Sequence, residues 1–204
     1  MTINYVYLLY AAVLGYLCGS VPFGLLLTRA AGLGDIRSIG SGNIGATNVL
    51  RTGNRALAAA TLVLDAAKAA LPVLFARYYW GEQAAMLCAI FAFLGHCFPV
   101  WLNFKGGKGV SVFIGILLAL SWPVGLIFCA VWLVIAFAQK MSSLAALTAA
   151  ATAPIFAYVV VDEWLAATAA LLALVLFFQH RTNLARLFNG TEPKIGSEKK
   201  APQA

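Results

Sequence analysis

The sequence predicts an all-α, polytopic membrane protein with seven transmembrane helices, its N-terminus outside and its C-terminus in the cytoplasm. Of the 204 residues, 62% are hydrophobic and 10% are charged, which exceeds the apolar content of soluble domains. Apolar runs recur along the chain, and the basic residues fall mainly in the short segments between them. The length fits one domain, with residues 1–190 as a single transmembrane unit and residues 191–204 as a polar, disordered cytoplasmic tail.

The apolar runs define the candidate spans, because a helix needs about 20 apolar residues to cross the hydrocarbon core. They cover residues 5–27, 56–76, 84–102, 143–161 and 164–178, together with an uncharged stretch at 110–138. The first run carries no preceding positive charge and is longer than a signal-peptide core, which predicts a retained span. The stretch 110–138 fits either one long helix or a hairpin of two short helices that turns at residues 121–125, where proline and glycine break helices.

The distribution of positive charge decides between these two alternatives. With the hairpin, twelve basic residues share one side of the membrane and only Arg77 lies on the other. A single long helix would place Lys140 and the five C-terminal basic residues on the opposite side of the membrane from the other basic residues. The positive-inside rule therefore favours seven spans. The helix that begins at Val110 would then be only about 18 Å long, so its glycine-rich entry must dip into the membrane or be covered by neighbours.

Composition also restricts the partners. The formal charge of +7 suits anionic partners such as lipid headgroups or phosphorylated metabolites. Nucleic acid is not expected, since the basic residues lie in short loops rather than on one polar face. The four cysteines fall inside apolar runs without metal-ligand spacing, and the carboxylates on the basic side are scattered, so we expect neither a metal nor another cofactor.

Residues 38–51 form the first of three polar clusters. The string from Gly40 to Gly45 matches GxGxxG, but no βαβ unit can be drawn around it, so a dinucleotide site is excluded. Glycines in such a loop let backbone N–H groups turn toward an anion. The other expected ligand-binding members of this cluster are Ser41, Gly42, Asn43, Thr47, Asn48 and Arg51. The alternative is a flexible loop with a snorkelling arginine.

The second cluster precedes the helix that begins at Val110. Lys105 and Lys108 flank Gly106, Gly107 and Gly109, so positive charge, bare amides and a helix N-terminus coincide. Glycine follows Lys108 where a Walker A loop has serine or threonine. A positive-inside anchor would explain the lysines but not the three glycines.

The third cluster follows the last span. If the helix continues, His180, Asn183 and Arg186 share a broad face, and Asn189 with Gly190 predicts its end. A lone histidine at a membrane surface is more often a structural hydrogen-bonder than a catalyst. The neighbouring asparagine and arginine favour ligand binding here.

Two polar features lie inside apolar runs. Asp65 and Lys68 are spaced i, i+3, and we expect them to form a structural pair that faces the bundle interior. His96 lies just before the second cluster and is expected to position that loop.

The three clusters closely resemble the signature regions of the bacterial membrane acyl-phosphate:glycerol-3-phosphate acyltransferases, the PlsY family. The matching segments are GSGNIGATNVLR at 40–51, GHCFPVWLNFKGGKGVS at 95–111 and HRTNLARLFNGTE at 180–192. The resemblance implies that residues 1–190 form an acyltransferase domain in the bacterial inner membrane with its site facing the cytoplasm. It also implies acyl phosphate and glycerol 3-phosphate as substrates, and the enzyme that makes acyl phosphate as a possible partner.

By this resemblance, Arg51, Lys105, His180 and Asn183 would be the catalytic residues. Arg51, Lys105, His180, Asn183 and Arg186 would engage glycerol 3-phosphate, while the polar residues of the first loop would hold the acyl phosphate, with the second loop's glycines near it. The proton of the attacking hydroxyl would go to the acyl phosphate itself or to His180. Glu192 would pair with a motif arginine. The main alternative function is a transporter or exporter of anionic lipid or phosphate.

Overall fold

The structure is a computed structural model that describes residues 4–196, and this part of the chain is helical without β-strands. Its α-helices are α1 (Tyr5–Gly19), α2 (Phe23–Ala30), α3 (Ala46–Val49), α4 (Arg55–Trp80), α5 (Glu82–Cys97), α6 (Val110–Leu120), α7 (Trp122–Gln139), α8 (Ser142–Val160), α9 (Glu163–Gln179) and α10 (Arg181–Phe188). Short 3₁₀ turns lie at Ile36–Ser38, Leu50–Thr52 and Val100–Leu102. The all-α prediction is confirmed for the described residues.

Five helical segments are long and apolar enough to cross a bilayer. They are Tyr5–Ala30, Arg55–Trp80, Glu82–Leu102, Trp122–Gln139 and Ser142–Val160. Helices α9 and α10, bent by 66° between them, count as a sixth if the pair is one span, whereas α6 is shorter. The chain is therefore a multi-pass helical membrane protein.

The first span differs from the prediction because it is broken near its end. Helix α1 stops at Gly19 and α2 begins at Phe23, after Pro22. A break exposes backbone carbonyls that a continuous helix would satisfy. Here the indole nitrogen of Trp101 donates to the carbonyl of Ser20 at 2.7 Å, and Nζ of Lys68 donates to that of Val21 at 2.6 Å.

The hairpin predicted between residues 110 and 138 is confirmed, and the single long helix is excluded. Helices α6 and α7 are separated by Ser121 alone, which has an extended backbone, and the ring centroids of Phe113 and Phe128 lie 5.1 Å apart, so the two helices fold back on each other. Pro123 lies in the first turn of α7, where a missing N–H costs nothing. The far end of α6 is capped by Arg77, whose Nη1 donates to the carbonyls of Ala119 and Leu120 at 3.2 Å each.

Small residues allow the helices to approach closely. A Cβ atom on Gly15 of α1 would lie 2.3 Å from the carbonyl oxygen of Cys88 on α5, and one on Gly115 of α6 would lie 2.1 Å from that of Ala66 on α4. Such close backbone contact is the usual way in which membrane helices pack. It holds the short helix α6 firmly against α4, so the loop that enters α6 starts from a fixed support.

Candidate active site

Asn48 organises the first loop from the inside. Its side-chain amide donates to the carbonyls of Ile36, Ile39 and Asn43 at 2.9, 3.0 and 2.8 Å, and its oxygen accepts the N–H of Ser41 at 3.1 Å. The side chain is buried. The sequence suggested Asn48 as a donor to the ligand, but the structure commits its amide group to the loop itself.

The rest of the first loop is shaped around Arg51. Gly40 has a positive φ of 56°, and a Cβ atom there would lie 2.4 Å from a guanidinium nitrogen of Arg51. Gly40 therefore leaves room for the arginine side chain, a role that the sequence did not reveal. Asn43 accepts the N–H of Gly45 at 2.8 Å and so fixes the turn into α3.

Thr47 connects this loop to the start of α8. Its hydroxyl oxygen lies 3.5 Å from that of Ser142. Ser41 and Thr47 are both exposed, so their hydroxyl groups are accessible to a ligand. Ser142 is a site neighbour that the sequence analysis missed, because residues 95 positions apart carry no local signal of contact.

The second loop reverses direction through two residues with left-handed backbone, Asn103 and Phe104, with φ angles of 51° and 60°. Such a conformation is uncommon outside glycine and marks a constrained segment. The reversal brings the loop back alongside the end of α5, where the N–H of Gly106 donates to the carbonyl of Cys97 at 3.1 Å.

The glycines of the second loop are covered by α5. The N–H of Gly107 donates to the carbonyl of His96 at 3.0 Å, and a Cβ atom on Gly107 would lie 2.1 Å from Nε2 of the same histidine. Gly109 has a φ of 86° and faces the ring of Phe93. Neighbours cover this helix entry, which is one of the two arrangements expected, and His96 contacts the loop that it was expected to position.

The two lysines of this loop have different surroundings. Lys105 is exposed and has no side-chain hydrogen bond or ion pair within residues 4–196. Lys108 is partly buried and donates to Oδ1 of Asn183. Burial, together with the nearby positive charges of Arg186 and Arg51, lowers the pKa of Lys108 to about 8, against the opposing effect of Glu192. All three polar clusters therefore meet around Lys108.

The third cluster begins at a sharp bend. Helix α9 ends at Gln179 and α10 starts at Arg181 after a bend of 66°, so the predicted straight continuation of the helix is wrong. His180 lies in the bend, 2% exposed, with Nδ1 2.9 Å from the carbonyl oxygen of Leu176. A carbonyl only accepts, so Nδ1 carries the proton and Nε2 of the neutral ring keeps its lone pair. The predicted helix end at Asn189 and Gly190 is confirmed.

Glu192 joins α8 to α10. Its Oε1 accepts from the hydroxyl of Ser143 and from Nδ2 of Asn183, and its Oε2 accepts from Nε of Arg186, each at 2.6 Å. Burial would raise the pKa of Glu192, but the hydrogen bonds from Ser143, Arg186 and Asn183 outweigh it and lower the pKa. The predicted pairing with a motif arginine is confirmed, while Ser143 was missed.

The first residues of the segment after α10 therefore contact the helix bundle. Besides Glu192, the N–H of Ile195 donates to the carbonyl of Lys140 at 2.6 Å. The remainder of the predicted tail, residues 197–204, lies outside the described residues.

Fold and site together define a multi-pass helical membrane protein with a cluster of cationic side chains at the ends of its helices. The family model for glycerol-3-phosphate acyltransferase matches residues 9–190. The chain belongs to the glycerol-3-phosphate acyltransferase family, as its signature segments predicted, and within that family it is of the PlsY type.

Individual relatives agree over nearly the whole chain. A glycerol-3-phosphate acyltransferase of Rhodopseudomonas palustris strain BisB5 is 59% identical over 189 residues, covering 93% of this chain and 96% of the relative. One from Cereibacter sphaeroides is 56% identical over 196 residues, covering 96% and 92%. The crystal structure of PlsY, an integral membrane glycerol 3-phosphate acyltransferase, in its glycerol 3-phosphate form superposes with a TM-score of 0.88 at 34% identity, covering 93% of this chain and 96% of that one. The crystal structure of the lysophosphatidic acid form of PlsY superposes with a TM-score of 0.86 at 33% identity.

Proposed function

We propose that the protein transfers a fatty acyl group from acyl phosphate to the 1-hydroxyl of glycerol 3-phosphate and releases lysophosphatidic acid and phosphate. The observation that carries this proposal is the convergence of three cationic loops on Lys108, which donates to Asn183 and feels the charges of Arg51 and Arg186. Two anionic phosphates need such a concentration of positive charge. Family membership supports the same reaction.

The reaction requires no nucleophile from the protein, because acyl phosphate is an activated mixed anhydride. The hydroxyl oxygen of glycerol 3-phosphate forms an ester bond with the acyl carbon, and the bond from that carbon to the phosphate oxygen breaks. Phosphate leaves with the electron pair. Holding both substrates in line and stabilising the developing charge supply most of the acceleration.

Residue roles follow from exposure and bonding. Arg51 and Lys105 are exposed cations and are assigned to glycerol 3-phosphate. Arg186 and the buried Asn183 already bond to Glu192, and they are assigned to the same substrate by the resemblance to the family. Exposed hydroxyl and amide groups of the first loop are assigned to the acyl phosphate, supported by the glycines of the second loop. Asn48 keeps that loop in shape.

The hydroxyl proton has two possible acceptors in this arrangement. We assign it to the leaving phosphate, whose oxygens are already at the reacting carbon. Nε2 of His180, which keeps its lone pair, then serves as a hydrogen-bond acceptor that orients the hydroxyl.

The topology we propose has seven spans in the bacterial inner membrane, with α6 as the short one and the site facing the cytoplasm. Arg77 lies about 33 Å along α4 from Arg55. The first loop, with Arg37 and Arg51, lies at the Arg55 end, so the excess of positive charge favours the cytoplasm for that end. Cysteine introduced at exposed Tyr78 should react with an impermeant maleimide on intact cells. Cysteine at Thr47 should not, and labelling there would reverse the orientation.

The activity is tested with purified protein, palmitoyl phosphate and glycerol 3-phosphate, by measuring lysophosphatidic acid and free phosphate. Equal amounts of the two products are expected, and palmitoyl-CoA should not replace the donor. Lys105→Ala and Arg51→Ala should abolish transfer and leave the protein folded. Absence of product, with movement of anionic lipid across a liposome membrane, would identify a transporter instead.

A further inference from the structure

A buried charged group lies directly beneath the second loop and has no part in the chemistry proposed above. Nζ of Lys68 donates to Oδ1 of Asp65 at 2.7 Å and to the carbonyl of Val21 at 2.6 Å, and it lies 3.0 Å from Nδ1 of His96. The side chains of Lys68 and Asp65 are 4% and 2% exposed. The three partners use all three donors of the ammonium group, so the predicted pair is confirmed, but it contacts more than its own helix.

The contact with His96 determines how the imidazole ring is held. An ammonium group can only donate, so Nδ1 of His96 accepts and the proton of the neutral ring is on Nε2. This Nε2 edge is turned to the second loop, since a Cβ atom on Gly107 would lie 2.1 Å from it. The backbone of Gly107 therefore rests on a ring whose orientation is set by Lys68.

We infer that Lys68, together with Asp65, is a positioning residue of the acyl transfer site. It holds the ring of His96 in place. The ring in turn fixes the position of the backbone at Gly106 and Gly107, where the proposed function places a substrate phosphate. Lys68 itself does not touch the substrate. The inference rests on the function proposed above, because it names what supports one wall of that site.

If Asp65 and Lys68 served folding alone, a folded variant without either charge would keep the wild-type KM and the wild-type loop. Replacing a buried ion pair by apolar residues of similar volume is often neutral or stabilising, whereas removing one partner strands the other charge. The double variant Asp65→Leu/Lys68→Met should therefore remain folded. The carbonyl of Val21 keeps a partner in this variant, because it also accepts the N–H of Phe23 at 3.2 Å.

The test compares this double variant with the wild type in palmitoyl phosphate and glycerol 3-phosphate turnover and in hydrogen–deuterium exchange of the peptide that contains Gly106 and Gly107. We expect an increase of at least about tenfold in the KM of a phosphate substrate, since a misplacement of about 1 Å costs up to about a hundredfold. Exchange in the loop should be faster while Tm is unchanged or higher. A matched control breaks the ion pair at the other end of the bundle by Glu82→Gln alone, so that Arg77 keeps its hydrogen bonds to α6, and it should leave KM and loop exchange unchanged.

Additivity provides a further readout that a purely structural role would not move. His96→Asn keeps an acceptor oxygen on the side chain but removes the ring from beneath Gly107. His96→Asn should raise the same KM. Combining it with Asp65→Leu/Lys68→Met should raise that KM little further, because both changes act through the contact between His96 and Gly107.

A folded double variant with wild-type KM and wild-type loop exchange would overturn the inference. If the variant Asp65→Leu/Lys68→Met does not fold, the variant Asp65→Asn/Lys68→Gln replaces it, because it keeps the volume and polarity without the ammonium group. The same measurements of KM and loop exchange then test the inference. A wild-type protein that fails to turn over acyl phosphate would contradict the proposed function alone, while the exchange comparison would still test the positioning role.

Discussion

The pH dependence of the reaction tests whether the charge of Lys108 binds phosphate. Burial and the nearby positive charges lower the pKa of Lys108 to about 8, and lysine loses its positive charge as the pH rises through its pKa. The group is then roughly nine-tenths protonated at pH 7 and one-tenth at pH 9. Because kcat/KM reports the free enzyme, it should fall about tenfold across this interval.

The assay is the initial rate with palmitoyl phosphate and glycerol 3-phosphate from about pH 6 to about pH 10 at constant ionic strength. Lys108→Arg should lose the alkaline limb, since arginine stays charged throughout this range. Lys105→Arg is the matched control and should keep the limb at its original position whatever its rate. A limb near pH 8 that persists in Lys108→Arg, or a wild-type profile that is flat from pH 7 to pH 9, would refute the reasoning.

Three further predictions concern residues around Lys108. Gly107→Ala places a methyl group 2.1 Å from Nε2 of His96, so the loop must shift and the KM of a phosphate substrate should rise at least about tenfold, as measured by steady-state kinetics. Glu192→Gln removes a charge-assisted hydrogen bond from Arg186, which is partly exposed; we expect a loss of about 1–2 kcal/mol, seen as a Tm several degrees lower. His180→Ala should reduce the rate severely, and its pH profile should keep the wild-type shape if the histidine orients the hydroxyl rather than accepting its proton.

The Gly107 result needs a control for general loss of packing. Gly15→Ala creates a similar clash, 2.3 Å from the carbonyl oxygen of Cys88, but between α1 and α5 away from the loop. It should lower Tm without a change in KM. Equal effects of the two substitutions on KM would argue against a specific role for Gly107.

The sequence predicted the three polar clusters and the α6–α7 hairpin because these depend on local signals, namely charge, glycine and a helix breaker. It did not predict the break at Pro22. Pro72 and Pro154 lie inside the unbroken helices α4 and α8, so the presence of a proline does not by itself determine where a helix breaks. What differs at Pro22 is the presence of Trp101 and Lys68 to satisfy the freed carbonyls, and both come from distant parts of the chain.

The same limit applies to individual site residues. Asn48 has the donor groups that a phosphate site needs, but only the fold shows that its donors are used within the loop. Ser143 lies 49 residues from Glu192, and no spacing rule connects them. Sequence patterns identify which side chains are chemically suitable, whereas long-range contacts decide which remain available.

Helix α6 is too short to cross a hydrocarbon layer of about 30 Å by itself. Its C-terminal carbonyls are bound by Arg77 near one end of α4, and its 11 residues rise only about 16 Å from there. Lys108, just before α6, therefore lies only about 16 Å along the helix axis from the carbonyls that Arg77 binds. In the seven-span topology proposed above, a phosphate bound beside Lys108 would lie below the level of the surrounding headgroups, and water would have to reach it from the cytoplasmic side.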